Sequence, residues 1–202
     1  MSSDLRLLPL FLKLRGKKVV VVGGGRVAAQ RAEALFATGA DLTVVEPLIE
    51  PRIRTLGVVL VTRSFTPADL DGAWLAVAAA PPAVNREVRA AGEARRLFVN
   101  AVDDPEDASA YTGGVLRRGP LTIAVSTAGR APALAGLLRE GLEAVVPEEI
   151  EAWVQEARAL RQRQRAEGVP MADRRPLLLR ALNALYAKRT AGTSPSAPPE
   201  AS

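Results

Sequence analysis

The chain has 202 residues, 48 % of them hydrophobic but only 4 % aromatic, and a formal net charge of +5. That length allows one good core, built mainly of aliphatic and alanine packing, with room for a small second unit. Cysteine and histidine are both absent, which excludes disulfides, thiolate nucleophiles, cysteine metal sites and any proton transfer through an imidazole.

In chain order, the opening stretch MSSDLRLLPLFLKLRGKK carries an acid near its start and no small-residue cleavage site after LLPLFL. It is a poor signal peptide, and no apolar run approaches bilayer-spanning length, so a cytoplasmic protein without a membrane partner is expected. Lys17 to Val22 reads as a continuous apolar strand, the mark of a buried parallel sheet. A helix follows from Gly25 to Thr38, with alanines and Leu35 inward and Gly39 ending it. Further strands are expected at Asp41 to Val45, Val58 to Thr62, Ala73 to Ala79 and Leu97 to Asn100, with a proline-led helix from Pro82 to Arg95 before the last. This alternation predicts an α/β fold, a Rossmann-like, right-handed, doubly wound parallel sheet.

The rhythm changes after Pro105. Val115 and Leu116, then Arg117-Arg118-Gly119-Pro120, then Leu121 to Val125 read as a hairpin. Helices are expected from Pro132 to Val146, from the Pro147-Glu148-Glu149 start onward, and from Asp173 to Arg189. In the second of these Ile150, Trp153, Val154, Ala157 and Leu160 share a face; in the third, Leu178, Leu182, Leu185 and Tyr186 do. TAGTSPSAPPEAS reads as a disordered tail.

The basic residues are nearly all arginine, lysine standing only at 13, 17, 18 and 188. Arginine's fork suits carboxylate and phosphate, which makes a polyanionic small molecule the natural partner. For most of the arginines a general preference for arginine and alanine is sufficient explanation. Nucleic acid is not expected as a partner, since aromatics are few and no helix-turn-helix or zinc pattern appears.

In VVVVGGGRVAAQR, Gly23, Gly25 and Ala28 fit G-x-G-x-x-A between a strand and a helix. The first glycine permits the tight turn, the second lets a pyrophosphate approach the backbone, and the small third residue packs helix on strand. Glu46 ends the second strand about twenty residues on, where an acid accepts the ribose 2′-hydroxyl and repels a 2′-phosphate. NAD is therefore expected rather than NADP, although Arg26, beside the turn, can also meet a phosphate. The cofactor-binding set is Gly23, Gly25, Arg26, Val27, Glu46, Pro47, Leu48 and Ala80.

With imidazole and thiolate absent, and neither Tyr111 nor Tyr186 followed four residues later by lysine, carboxylates remain as proton acceptors. Ligands bind beyond the carboxyl ends of parallel strands, which directs attention to VNAVDDPEDASAY, with Asp103, Asp104, Glu106 and Asp107.

Three segments carry a resemblance: LPLFLKLRGKKVVVVGGGRVAAQRAEAL, VNAVDDPEDAS and VLRRGPLTIAVSTAGRAPALAGLLREGLE. Over roughly the first three quarters of the chain the sequence resembles the precorrin-2 dehydrogenase family, the NAD-binding part of siroheme synthases, some members of which are also sirohydrochlorin ferrochelatases. The chain is too short to include the methyltransferase half of the fused enzymes. The resemblance implies NAD-dependent oxidation of precorrin-2 to sirohydrochlorin in siroheme or cobalamin synthesis, with a tetrapyrrole substrate and a homodimer. It implies Asp103 of N-x-V-D as the catalytic proton acceptor, shared as a metal ligand if ferrous iron is also inserted. Substrate contacts fall to Thr127 and Arg130, and to Asn100 unless it holds the loop instead, with Arg117 and Arg118 as weaker analogues that solvated turn charges explain equally well. Thr127 stands where the family has serine. The polar A-T-D-D run of the family is replaced here by Ala79-Ala80-Pro81-Pro82-Ala83-Val84-Asn85, so that any polar contact from this loop has to be made by backbone.

The expected division is a Rossmann-like domain over 1–112, a dimerisation unit of hairpin and helix over 113–147, a C-terminal helical domain over 148–189 and a tail over 190–202. A rival reading also fits G-G-G-R-V-A followed by V-V-E: a non-catalytic NAD-binding regulatory module of the ion-transporter type. Such a module would not need the N-x-V-D and A-V-S-T-A-G segments.

Overall fold

In the computed structural model of the chain the described residues are 7–102 and 108–192, with side chains described as far as 184. The chain divides into two compact units: Met1–Gly113 with Ser126–Ala135, and Gly114–Val125 with Gly136–Ser202.

The first unit is built on a five-stranded, fully parallel sheet. Its central strand β1 (Lys18–Val22) has four valines buried on both faces, as a strand covered on each side requires. The chain then runs through helix α1 (Arg26–Phe36), strand β2 (Asp41–Val45), a four-residue helix α2 (Pro51–Arg54) and strand β3 (Val59–Val61). A single 3₁₀ turn (Pro67–Leu70) leads back to β4 (Leu75–Ala78), helix α3 (Pro82–Ala94) and β5 (Phe98–Ala101). The spatial order is β3-β2-β1-β4-β5. The direction of winding reverses between β1 and β4, where a doubly wound sheet opens its ligand crevice.

Strand alternation divides the core into two layers. Val19, Val21, Leu75 and Val77 face α1, whose Ala28, Ala29 and Ala32 are fully buried against them. Val20, Val22, Ala76, Ala78 and Val99 face the other way, with Val88 and Ala91 of α3. Gly92 lets α3 approach β5: a Cβ there would lie 2.4 Å from a Val99 methyl carbon. Gly39, with φ +75°, turns the chain out of α1 as its position predicts.

The second unit contains the antiparallel hairpin β6 (Gly114–Arg118) and β7 (Leu121–Val125), most of helix α4 (Pro132–Val145), and helices α5 (Ile150–Ala166) and α6 (Met171–Gly192). The expected stripe Ile150, Trp153, Val154, Ala157 and Leu160 is half-buried throughout.

Three expectations need correcting. The Arg118 guanidinium is not a free turn charge: it donates to the Val146 carbonyl and, at 3.1 Å, to the Glu143 carbonyl, capping the last turn of α4. The final helix begins at Met171, not Asp173, and contains Pro176. It also runs past Arg189 to Gly192, so residues 190–192 are helical and not tail; neither glycine nor proline stands between Arg189 and Gly192. Residues 193–202 lie outside the described part.

Candidate functional site

The site starts from the turn between β1 and α1. The Gly23 N–H donates to the Val45 carbonyl at 3.0 Å, and Gly23 has φ +125°, a conformation that side-chain-bearing residues avoid. A Cβ at Gly23 would meet the Ala79 carbonyl oxygen at 2.2 Å. Gly24, which the motif does not single out, is equally confined: its Cβ would lie 2.2 Å from the Leu48 carbonyl oxygen and 2.7 Å from the Glu46 Cγ. Gly25 is the opposite case, with nothing within 4 Å of a Cβ. Two glycines thus seat the turn against the strand ends on either side, and the third faces open space at the head of α1.

No side chain caps α1 at Gly25. Its leading amides, at Arg26, Val27 and Ala28, have no partner within the helix, and the dipole adds partial positive charge there. Arg26 and Val27 are exposed beside them and Ala28 is buried beneath. This is a donor set for a pyrophosphate, in a cradle that only glycine leaves open.

On one side the cradle is walled by the segment after β2. The Glu50 N–H donates to the Gly24 carbonyl at 2.8 Å, which brings Glu46, Pro47 and Leu48 alongside the turn. Glu46 is partly buried, and burial raises its carboxyl pKa above the ordinary value. Pro47 and Leu48 are exposed on the rim. An acid at this point accepts ribose hydroxyls.

The other wall is the segment after β4. The Ala79 N–H donates to the Val22 carbonyl at 2.8 Å and the Ala80 N–H to Asn85 Oδ1 at 3.0 Å. Pro81 and Pro82 have no N–H. With the Ala79 and Ala80 amides engaged, residues 79–82 offer only carbonyl acceptors from their backbone, and the donors of this loop are the leading amides of α3 at Ala83 and Val84.

β5 supplies Asn100, 5 % exposed and paired in register with Val77. Its Nδ2 donates to the Ala110 carbonyl at 2.9 Å. The Val99 N–H donates to Ser109 Oγ at 2.8 Å, and the Ser109 and Ala110 amides both donate to the Val99 carbonyl. The chain leaving β5 is thus stapled to itself at its base. Asp103, with Asp104, Glu106 and Asp107, lies outside the described residues.

Ser126–Ala135 belongs to the same compact unit. The Ala128 N–H donates to Ser126 Oγ and the Ala131 N–H to Thr127 Oγ1, both at 3.2 Å, while Ala128 takes φ +54°. Thr127 therefore has a structural task as acceptor in the turn before α4, and its hydroxyl proton remains a donor. Arg130 is exposed in that turn. Among the described residues no group of histidine, cysteine and carboxylate side chains is arranged to hold a metal, and no helix is long and apolar enough to cross a membrane. A cleft of about 270 Å³ lined by Arg89, Glu93, Arg96 and Phe98 lies around the start of β5, at the wrong end of the strands for this site.

Residues 10–114, just over half of the chain, match the family described as "Putative NAD(P)-binding". The chain belongs to this NAD(P)-binding family. Residues 118–144 match a second family, described as sirohaem biosynthesis protein central. Siroheme synthase 3 of Aeromonas hydrophila is 40 % identical over 182 residues, 88 % of this chain and 39 % of the relative. Siroheme synthase of Salmonella arizonae is 40 % identical over 173 residues, 83 % of this chain and 38 % of its own length. Siroheme synthase 2 of Aeromonas salmonicida reaches 46 % identity over 144 residues, 69 % of this chain and 30 % of that protein. The chain spans well under half the length of the curated relatives it matches. A solved structure of SirC, precorrin-2 dehydrogenase, at 24 % identity, covers 86 % of this chain and 88 % of its own with a TM-score of 0.67, a likeness of fold. The NAD(P)-binding family thus supplies the sheet and the glycine cradle, and the sirohaem family the hairpin turn and α4.

Sequence reasoning overlooked Gly24, Asn85 and Ser109. A third consecutive glycine, where the motif asks for two, was the available signal for the first. Asn85 acts within its own loop, on the Ala80 amide, and Ser109 acts on the Val99 amide of β5, and in both cases the bond depends on a fold of the chain that residue pattern does not reveal.

Proposed function

We propose that this chain oxidises precorrin-2 to sirohydrochlorin, with NAD⁺ as the hydride acceptor. The observation that carries the reading is that one compact unit holds both the glycine cradle at residues 23–25 and the Ser126–Ala135 turn, in a chain matched by an NAD(P)-binding family and a sirohaem biosynthesis family. The names of the matched relatives, siroheme synthases and a precorrin-2 dehydrogenase, support the same substrate.

When bound, the dinucleotide supplies the hydride acceptor. The chain's own groups do the rest. The leading amides of α1 hold the pyrophosphate, and Glu46 accepts the ribose hydroxyls and selects NAD over NADP. Thr127 and Arg130, at the head of α4, hold tetrapyrrole carboxylates. Asp103, matching the family's N-x-V-D, accepts the proton that leaves as the hydride departs, so precorrin-2 and NAD⁺ give sirohydrochlorin, NADH and a proton. Catalysis on this reading is positioning and electrostatics, without covalent attachment. The 113–147 segment serves as the contact of a homodimer working in the cytoplasm.

The test is anaerobic turnover of precorrin-2 with NAD⁺, following NADH, with Asp103→Ala beside the parent. NADH formed by the parent and lost in the variant is the expected result. Tight NAD⁺ binding with no turnover would overturn the enzyme reading in favour of a regulatory module. A second arm offers ferrous iron as a substrate after oxidation, and the spectrum of siroheme decides whether the same chain inserts it.

A further inference from the structure

Asn100 presents an acceptor that no described residue satisfies. The residue is 5 % exposed, and its Oδ1 has no hydrogen-bond partner among the described residues. The orientation of the amide is not arbitrary. The Ala110 carbonyl can only accept, so the Nδ2 end must face it, and Oδ1 is forced the other way. Buried acceptors are nearly always paired, and one without a partner among the described residues calls for a donor beyond them.

The position of Asn100 says which donor. It pairs with Val77 of β4, and Val77 pairs with Val21 of β1. Side chains alternate across a sheet, so Asn100 is on the face that carries α1 and its glycine cradle. It stands one residue from the carboxyl end of β5. A dinucleotide laid across the switch between β1 and β4 puts its adenosine half over β1 and β2, where Glu46 stands, and its other half over β4 and β5. Between β4 and α3, residues 79–82 offer that half only carbonyls and apolar carbon, the Ala79 and Ala80 amides being engaged.

We propose that Asn100 Oδ1 accepts an N–H of the nicotinamide carboxamide and so fixes which face of the ring is turned to the substrate. The inference rests on the NAD reading above and deepens it. Asn100 is on this view a cofactor-orienting residue and not a contact for the tetrapyrrole. Its Nδ2 holds the loop base and its Oδ1 holds the ring, so one side chain couples the two.

The test is calorimetric binding to the full chain of NAD⁺, its thionicotinamide analogue, its 3-acetylpyridine analogue and ADP-ribose. The thionicotinamide form keeps the carboxamide N–H groups; the acetylpyridine form has none; ADP-ribose lacks the ring. The parent is expected to bind the first two alike and the acetylpyridine analogue about tenfold more weakly, the scale of one hydrogen bond. Asn100→Ala should abolish that tenfold preference while leaving ADP-ribose affinity unchanged. Ser109→Ala loosens the same loop base but leaves Oδ1 in place, and should retain the preference. A parent that does not discriminate against the acetylpyridine analogue would overturn the proposal, even if Asn100→Ala failed to fold. So would a preference that survives in Asn100→Ala. Failure of the parent to bind ADP-ribose as well as NAD⁺ would overturn the NAD reading itself, and this inference with it.

Discussion

The Ala80 N–H donates to the Asn85 side-chain oxygen across 3.0 Å, tying the loop after β4 to the first turn of α3. Asn85 is 7 % exposed, so the bond is screened little by water. It closes the loop from below while Gly23 packs on the neighbouring Ala79 carbonyl from the side. Asn85→Ala leaves the Ala80 amide without its acceptor and is expected to cost about 1–3 kcal/mol of stability. Amide hydrogen exchange provides the local check. Ala80 is protected in the parent and exchanges rapidly in the variant, and a protected Ala80 in Asn85→Ala would remove this bond from the account.

Neighbouring glycines of the turn are predicted to respond oppositely. A methyl at Gly24 has to displace the Leu48 carbonyl, so Gly24→Ala forces the 46–50 segment off the turn and costs about 1–3 kcal/mol. Gly25 has φ −85° and open space around its Cβ position. Gly25→Ala therefore changes stability by no more than about 1 kcal/mol. Its methyl instead occupies the space through which a pyrophosphate approaches, and NAD⁺ affinity should fall about tenfold or more. Denaturant midpoints and NAD⁺ titrations on the two variants separate the effects. Equal losses of stability would contradict the open position assigned to Gly25.

The contrast also marks how far the sequence could be read. The buried run of valines, the helix with alanines at its inner positions and the strand ending in Glu46 were legible because each is a local pattern whose period matches its element. The doubly wound parallel sheet followed from strand–helix alternation and the fixed hand of the crossovers, and its strand order came only with the structure. What stayed hidden depends on atoms distant in sequence. Gly24 is required by the carbonyl of Leu48, Arg118 is held by carbonyls at the end of α4, and Asn100 has its Nδ2 on the Ala110 carbonyl and its Oδ1 buried without a partner among the described residues. The four residues of α2 are too few to show a helical period at all.

Asp69 and Arg63 form a second testable feature, remote from the cradle. Arg63 donates to both Asp69 oxygens, at 2.8 and 2.5 Å, and the Thr66 N–H and hydroxyl donate to Asp69 Oδ2 at 2.8 and 3.1 Å. The hydrogen bond from Arg63, aided by those from Thr66, lowers the Asp69 pKa from 3.8 to about 2. A depressed pKa contributes stability that is fully present above 3.8 and is lost as pH falls through about 2. Arg63 is half exposed, so solvent screens the charge pair and the effect stays near that of a lost cap, about 1 kcal/mol. Asp69→Asn should lower the midpoint by that amount at neutral pH and flatten the decline below pH 3.8. An acid limb unchanged in the variant would assign the decline to other carboxylates.

Glu46 has the opposite sign, and its consequence falls on binding. Burial beside the glycine turn raises its pKa above the ordinary 4.5. A raised carboxyl pKa contributes stability that is present below the unfolded value and lost as pH rises through the folded one. At neutral pH the ionised side chain is thus a mild burden on the fold, and Glu46→Gln should leave the midpoint unchanged or slightly higher. The ribose hydroxyls need the ionised acceptor, so NAD⁺ affinity has the reverse dependence. It should begin to fall at a higher pH than for an unperturbed glutamate, and continue falling as pH drops towards 4.5. Glu46→Gln should weaken NAD⁺ about tenfold at neutral pH, relax the preference over NADP⁺, and remove the pH dependence of binding. Fluorescence titrations of parent and variant across that range provide the check. A parent and variant that share one slope would place the titrating group elsewhere, and Glu46 would then lose its role as the ribose acceptor while the glycine cradle kept its own.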